Sequence, residues 1–130
     1  VYEFEMAITL SKSAGTTSHT ISIGFGGTAT INNSYANVLH TSAPTGSGTA
    51  TTSSTTTVTN TAYTGAITSA AANFIMLMKG TVSINAGGTF IPQYTLSAAP
   101  GGAYTTALGS YIKISPLSAS GANTSIGTWA

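Results

Sequence analysis

The chain has 130 residues and almost no ionic groups: only 4% of it is charged, as Glu3, Glu5, Lys12, Lys79 and Lys113, with no Arg, no Asp and no Cys. That excludes the cationic stripe that nucleic acid requires, a polybasic membrane patch, a disulfide framework and any chemistry that needs those residue types. The net charge of +1 supplies little self-repulsion to keep copies apart, which points to a chain built into an assembly.

Period-two alternation dominates, and no stretch holds a 3.6-residue stripe for three turns, so the predicted class is all-β. Over Val1 to Leu10, Tyr2, Phe4, Met6, Ile8 and Leu10 point one way, and Glu3, Glu5, Ala7 and Thr9 the other, as in a half-buried strand. Ser11 to Thr17 reads as a turn. His19, Ile21, Ile23 and Phe25 repeat the alternation in a second strand ended by Gly24, Gly26 and Gly27, where strands bulge or stop. A third strand covers Ser34 to Thr41. Thr41 to Thr61 is rich in Thr, Ser and Gly and reads either as a loop or, within Thr55 to Thr59, as a solvated edge strand.

Asn73 to Ile84 is the most apolar stretch. Phe74, Met76, Met78, Val82 and Ile84 share one face, while Ile75 and Leu77 stand on the opposite one. A strand apolar on both sides is covered on both sides, so Ile75 and Leu77 are the predicted subunit contact. Its longest apolar run is far below the roughly 20 residues of a membrane span. Asn85 to Gly88 reads as a hairpin turn, followed by a strand from Thr89 to Ser97 in which Pro92, lacking an N–H, predicts an edge or a bulge. Pro100 to Gly102 is a turn, Ser110 to Leu117 a late strand, and Ser125 to Trp129 a closing one. About seven to nine short strands with turns between them predict one antiparallel β-sandwich of jelly-roll type over residues 1–130.

Candidate chemistry is sparse. Glu3 and Glu5 lie on one strand face about 6.6 Å apart along the backbone, within the span of paired glycosidase carboxylates. The Arg, Asp and Trp that would hold a sugar beside them are missing, so a solvated strand face is the stronger reading. His19 falls on an apolar face, and no HxH or HxxxH spacing joins it to His40, so neither predicts a metal. No GxSxG occurs; Gly46-Ser47-Gly48 is the nearest approach. Gly24-Phe25-Gly26-Gly27 lacks the Lys and the helix of a phosphate loop. No catalytic residue, metal or cofactor is therefore predicted. Tyr94, Tyr104, Tyr111 and Trp129, set among hydroxyl residues, are the candidates for holding a ligand such as a carbohydrate, and Tyr and Trp equally anchor protein interfaces.

Val1-Tyr2-Glu3-Phe4-Glu5, the segment from Ser18 to Gly27, and the second half from Lys79 through Gly88–Tyr104, Gly109–Leu117 and Ile126–Trp129 carry a resemblance that covers most of the chain. They resemble the C-terminal β-domains of structural proteins of tailed bacteriophages. More distantly, the Tyr-x-Phe first strand and the late Gly109-Ser110-Tyr111 strand are similar to trimeric jelly rolls of the C1q and tumour necrosis factor type. The resemblance implies a homotrimeric virion component on the particle surface: the tip of a tail or head fibre, or a capsid decoration. Its partners would be itself, other virion proteins and a host glycan, not nucleic acid or membrane, and it would have no enzymatic activity. A start at Val1 without an initiator Met implies a piece of a longer fibre protein.

Overall fold

The computed structural model describes residues 1–43, 50–55, 61–62 and 66–117, and every regular element among them is a β-strand. In chain order these are β1 (Tyr2–Lys12), β2 (Ile21–Gly26), β3 (Thr30–Ala43), β4 (Ala50–Thr55), β5 (Thr61–Ala62), β6 (Ala72–Ala86), β7 (Ile91–Leu96), β8 (Tyr104–Thr106) and β9 (Tyr111–Pro116). The all-β, antiparallel expectation holds, and the strands divide into two sheets. The larger has the order β4-β3-β6-β1-β8, with β9 pairing β1 beside β8; the smaller has the order β5-β2-β7. Four antiparallel pairings are nested in sequence: β1 with β8 and with β9, β2 with β7, and β3 with β6.

Alternation explains how the sheets meet. Phe4, Met6, Ile8 and Leu10 of β1, Phe74, Met76, Met78 and Val82 of β6, and Ala36 and Val38 of β3 form one buried face of the larger sheet. Ile21, Ile23 and Phe25 of β2 oppose them in the same cluster. The Phe4 and Phe25 rings meet edge to face at 5.0 Å, and Phe25 stacks on Phe90 at 4.4 Å, so aromatic contacts join the sheets at one end.

Several elements differ from the sequence expectation. β1 continues through Ser11 and Lys12, where a turn is expected, because β6 pairs with it as far as Lys12↔Ala72. Lys12 is only 4% exposed, and its ammonium donates to the carbonyls of Gly15 (2.7 Å) and Ser69 (2.6 Å). His19 precedes β2 and forms an isolated bridge with Ile67. Asn85 to Gly88 is not a hairpin turn: β6 belongs to the larger sheet and β7 to the smaller, so the chain crosses between layers there. Backbone bonds from Thr28 N–H (3.1 Å) and Ala29 N–H (3.0 Å) to the Thr89 carbonyl secure that crossing. β4 lies at Ala50–Thr55, earlier than the edge strand expected over Thr55 to Thr59, whose residues 56–59 fall outside the described residues, as does the strand expected over Ser125 to Trp129. Pro92 does stand on an edge strand, β7.

Gly80, in the middle of β6, lies where β3 comes closest: a Cβ there would overlap the Tyr35 carbonyl oxygen and crowd the Ala36 Cα at 2.8 Å. Both are backbone atoms of a paired strand and cannot swing aside. Gly80→Ala is therefore expected to lower the unfolding free energy by about 1–3 kcal/mol, read as a lower urea midpoint with an unchanged slope.

Candidate functional site

Two features stand apart from the core. The first is the outer face of the larger sheet, which the smaller sheet does not cover. Cross-strand register places Leu39, Leu77, Ala7 and Tyr111 in one row and Asn37, Lys79, Glu5 and Lys113 in the next. Ile75 (48% exposed) and Leu77 (44%) lie here with Tyr35 (50%) and Leu39 (38%), so about half of each side chain meets water. Ile75 and Leu77 thus stand on the face opposite Phe74, Met76 and Met78, as their alternation predicts. The row beside the apolar stripe puts Glu5 between two lysines. Tyr111 Oη donates to Glu5 Oε1 at 2.6 Å, and the Lys113 ammonium sits 5.5 Å from the Tyr111 ring centre. The Tyr111 hydrogen bond, followed by the fields of Lys113 and Lys79, holds the Glu5 carboxyl below its ordinary range. The same bond pushes the Tyr111 phenol up.

The second feature is a cleft of about 300 Å³ between β7 and the edge strand formed by β8 and β9. It exists because that edge strand is interrupted. β8 pairs with β1 at Leu10–Lys12 and β9 at Tyr2–Ala7, while residues 107–110 leave the ladder, helped by the left-handed backbone of Gly109 (φ +95°). Ser110 bridges the break: its Oγ accepts the Thr9 N–H at 3.0 Å and donates to the Ala107 carbonyl at 3.0 Å, and the Ala107 N–H returns to the Thr9 carbonyl at 2.9 Å. Met6, Ile8, Pro92 and Ile112 supply the apolar lining, with Tyr94, Thr106, Ser110 and Tyr111 as its hydroxyl-bearing members.

The predicted ligand aromatics thus separate. Tyr94 and Tyr111 both border the cleft, although the Tyr111 hydroxyl is committed to Glu5 on the outer face. Tyr104 does not reach it: half-buried, it packs against Phe74 and donates to His19 Nε2 at 2.7 Å. Trp129 lies outside the described residues. Sequence reasoning missed Met6, Ile8, Thr106 and Ile112 as cleft residues. A signal was available in Leu108-Gly109, a break just before an alternating run, but not which strand it would face.

No group of three or more His, Cys, Asp or Glu side chains that could hold a metal ion assembles among the described residues. Glu3 and Glu5 share the solvated face. His19 is buried with both ring nitrogens engaged: the Thr17 carbonyl, 2.7 Å from Nδ1, can only accept, so Nδ1 carries the proton and Nε2 accepts from Tyr104. His40, also buried, has its pKa lowered by burial. Compared with known proteins, the chain matches no family model, no curated protein and no solved structure.

Two titrations follow. Replacing Tyr111 by Phe removes the largest cause of the Glu5 shift, so the Glu5 carboxyl should titrate higher in the variant, followed by carbon-detected NMR. Because the folded His40 pKa lies below the unfolded value of about 6.5, the unfolded chain takes up the proton first as the solution is acidified. The contribution of neutral His40 is complete above that pH and is lost below it, until the folded pKa is passed. Thermal melts should show stability falling from pH 7 toward pH 5, with a shallower fall in His40→Gln.

Proposed function

We propose that this chain is a non-enzymatic structural domain of a tailed-bacteriophage particle, a jelly-roll sandwich that associates as a homotrimer at a fibre tip or as a capsid decoration on the virion surface. The observation that carries the reading is the outer face of the larger sheet, where Leu39, Ile75 and Leu77 form a half-exposed apolar stripe, with the exposed Tyr35 two rows away beyond Asn37 and Lys79. Contiguous apolar surface of this kind marks an interaction site on a soluble domain. A second copy is the occupant that fits it. The adjoining rows hold Glu3, Glu5, Lys79 and Lys113, two charges of each sign, so one half of the face can meet the other half of a neighbour without net repulsion. A closed ring of three uses that head-to-tail contact.

The nested pairs β1 with β8 and β9, β2 with β7, and β3 with β6 support the jelly-roll reading, since they are the pairs of one long hairpin rolled into two layers. The phage assignment rests on the sequence resemblance together with the scarcity of ionic groups. Other virion proteins and a host surface are then the partners, and adhesion or reinforcement is the work.

Native mass spectrometry of the chain at micromolar concentration should give three times the 12.9 kDa chain mass. The double substitution Ile75→Lys with Leu77→Lys should reduce it to one chain without unfolding the sandwich, because both side chains lie outside the core. A wild-type chain found only at 12.9 kDa would remove the assembly reading, and absence of antibody labelling on intact phage particles would remove the virion assignment.

A further inference from the structure

We infer that the cleft between β7 and the interrupted edge strand is a binding site for a neutral saccharide residue, with Tyr94 as its main contact. The cleft opens mainly on the other side of the larger sheet from the apolar stripe assigned to assembly: Met6, Ile8 and Ile112 belong to the inner face, and only Ala7 and Tyr111 at its rim belong to the row that continues the stripe.

The site has an architecture of its own. The smaller sheet ends at β7, so the inner face beyond it, including Ile112, is left half open. The break at residues 107–110 is held by three hydrogen bonds centred on Ser110 and Ala107, so the opening belongs to the stable fold. Backbone groups face the opening on both sides. Thr28 bonds Thr89 and Ser97 bonds Thr20 at the two ends of the β2–β7 ladder. Alternation between these ends places the N–H and C=O of Tyr94 on the side away from β2. On the other wall, the Leu117 N–H to Val1 carbonyl bond sets the same alternation, and the N–H and C=O of Ile112 point away from β1.

Three observations select the ligand class. First, none of the cleft residues carries a charge, so nothing there would neutralise a phosphate, a carboxylate or an ammonium ion. Secondly, an added peptide strand is opposed on both walls: Pro92 has no N–H to offer, and Lys113 and Pro116 guard β9, the devices that keep edge strands from pairing. Thirdly, the lining combines an apolar floor with hydroxyls and backbone polar groups, and the Tyr94 hydroxyl makes no hydrogen bond among the described residues. A pyranose matches this combination, because one face of the ring presents C–H groups to an apolar or aromatic surface while its edge presents hydroxyls. The volume of about 300 Å³ lies at the lower end of small-molecule sites and suits one sugar residue.

The test is a titration of the ¹⁵N-labelled full chain with methyl α-glucoside and with methyl N-acetyl-α-glucosaminide, followed by amide NMR, with an uncharged Val-Thr repeat peptide as the competing probe. At least one glycoside should shift the Tyr94, Thr106, Ser110 and Ile112 amides saturably in the millimolar range. Tyr94→Phe, which leaves the packed ring in place, should weaken binding roughly three- to tenfold through one lost hydrogen bond. Thr106→Lys, at an exposed position, should abolish it by placing a charge in the cleft. No saturable shift with either glycoside, shifts confined to other residues, unchanged affinity in both variants, or a response to the peptide alone would each overturn the assignment. None of these results alters the native mass, so failure here and failure of the assembly reading are separately visible.

Discussion

The antiparallel pairing of β1 with β6, unbroken from Tyr2↔Val82 to Lys12↔Ala72, is the constraint on which the rest of the molecule depends. It sets Tyr2, Phe4, Met6, Ile8 and Leu10 beside Val82, Gly80, Met78, Met76 and Phe74 on one side, and Glu3, Glu5, Ala7 and Thr9 beside Thr81, Lys79, Leu77 and Ile75 on the other. A slip of one residue would turn one strand over relative to the other and bury either Glu5 or Lys79 without water. The apolar contrast between the two sides is large enough to fix the register without any ion pair in the core.

The two sheets are unequal, and the inequality creates the surfaces described above. β5, β2 and β7 cover the middle of the larger sheet's inner face, where Ile21, Ile23 and Phe25 are buried. Ile112 and Ile114 on β9 lie beyond that cover and remain partly in water. The cleft is the boundary between the covered and uncovered parts. At the far end of β1 the sandwich is sealed differently, by a buried polar corner: Lys12 caps two loop carbonyls, its ammonium 5.9 Å from the Tyr104 ring centre, and Tyr104 donates to His19. That corner ties residues 15–19, 67–69 and 104 together, which leaves Tyr104 a structural role.

Hydroxyl groups carry much of the local bonding that a more charged chain would divide with ion pairs. Thr28 and Thr89 exchange side-chain and backbone bonds where the chain crosses between sheets, Ser97 Oγ accepts the Thr20 N–H beside β2, and Ser110 holds the break in the edge strand. Each secures a position where regular strand pairing stops. The abundance of Thr and Ser is thereby partly a structural device, and these contacts do not depend on charge. Glu5 is the exception, a carboxylate held by Tyr111 between Lys79 and Lys113.

The strands at the two ends of the apolar scale were legible in the sequence. Tyr2 to Leu10 and Asn73 to Ile84 alternate so strongly that their faces, the outward position of Ile75 and Leu77, and the buried state of His19 followed from side-chain period alone. Short or polar elements were not legible: β5 has two residues, β8 three, and β4 is drawn from a stretch of Thr and Ser in which every register looks alike. The supposed hairpin at Asn85 to Gly88 failed for a related reason, since a turn signal says that a strand ends but not which sheet receives the next one. The sequence by itself determined the β class and which side of each long strand faces the core, because alternation is local and repeats every two residues. Only the tertiary structure decided which strands are neighbours, that Tyr94 lines an open cleft while Tyr104 closes a buried corner, and that Tyr111 holds Glu5, because those outcomes depend on contacts between residues up to 106 positions apart.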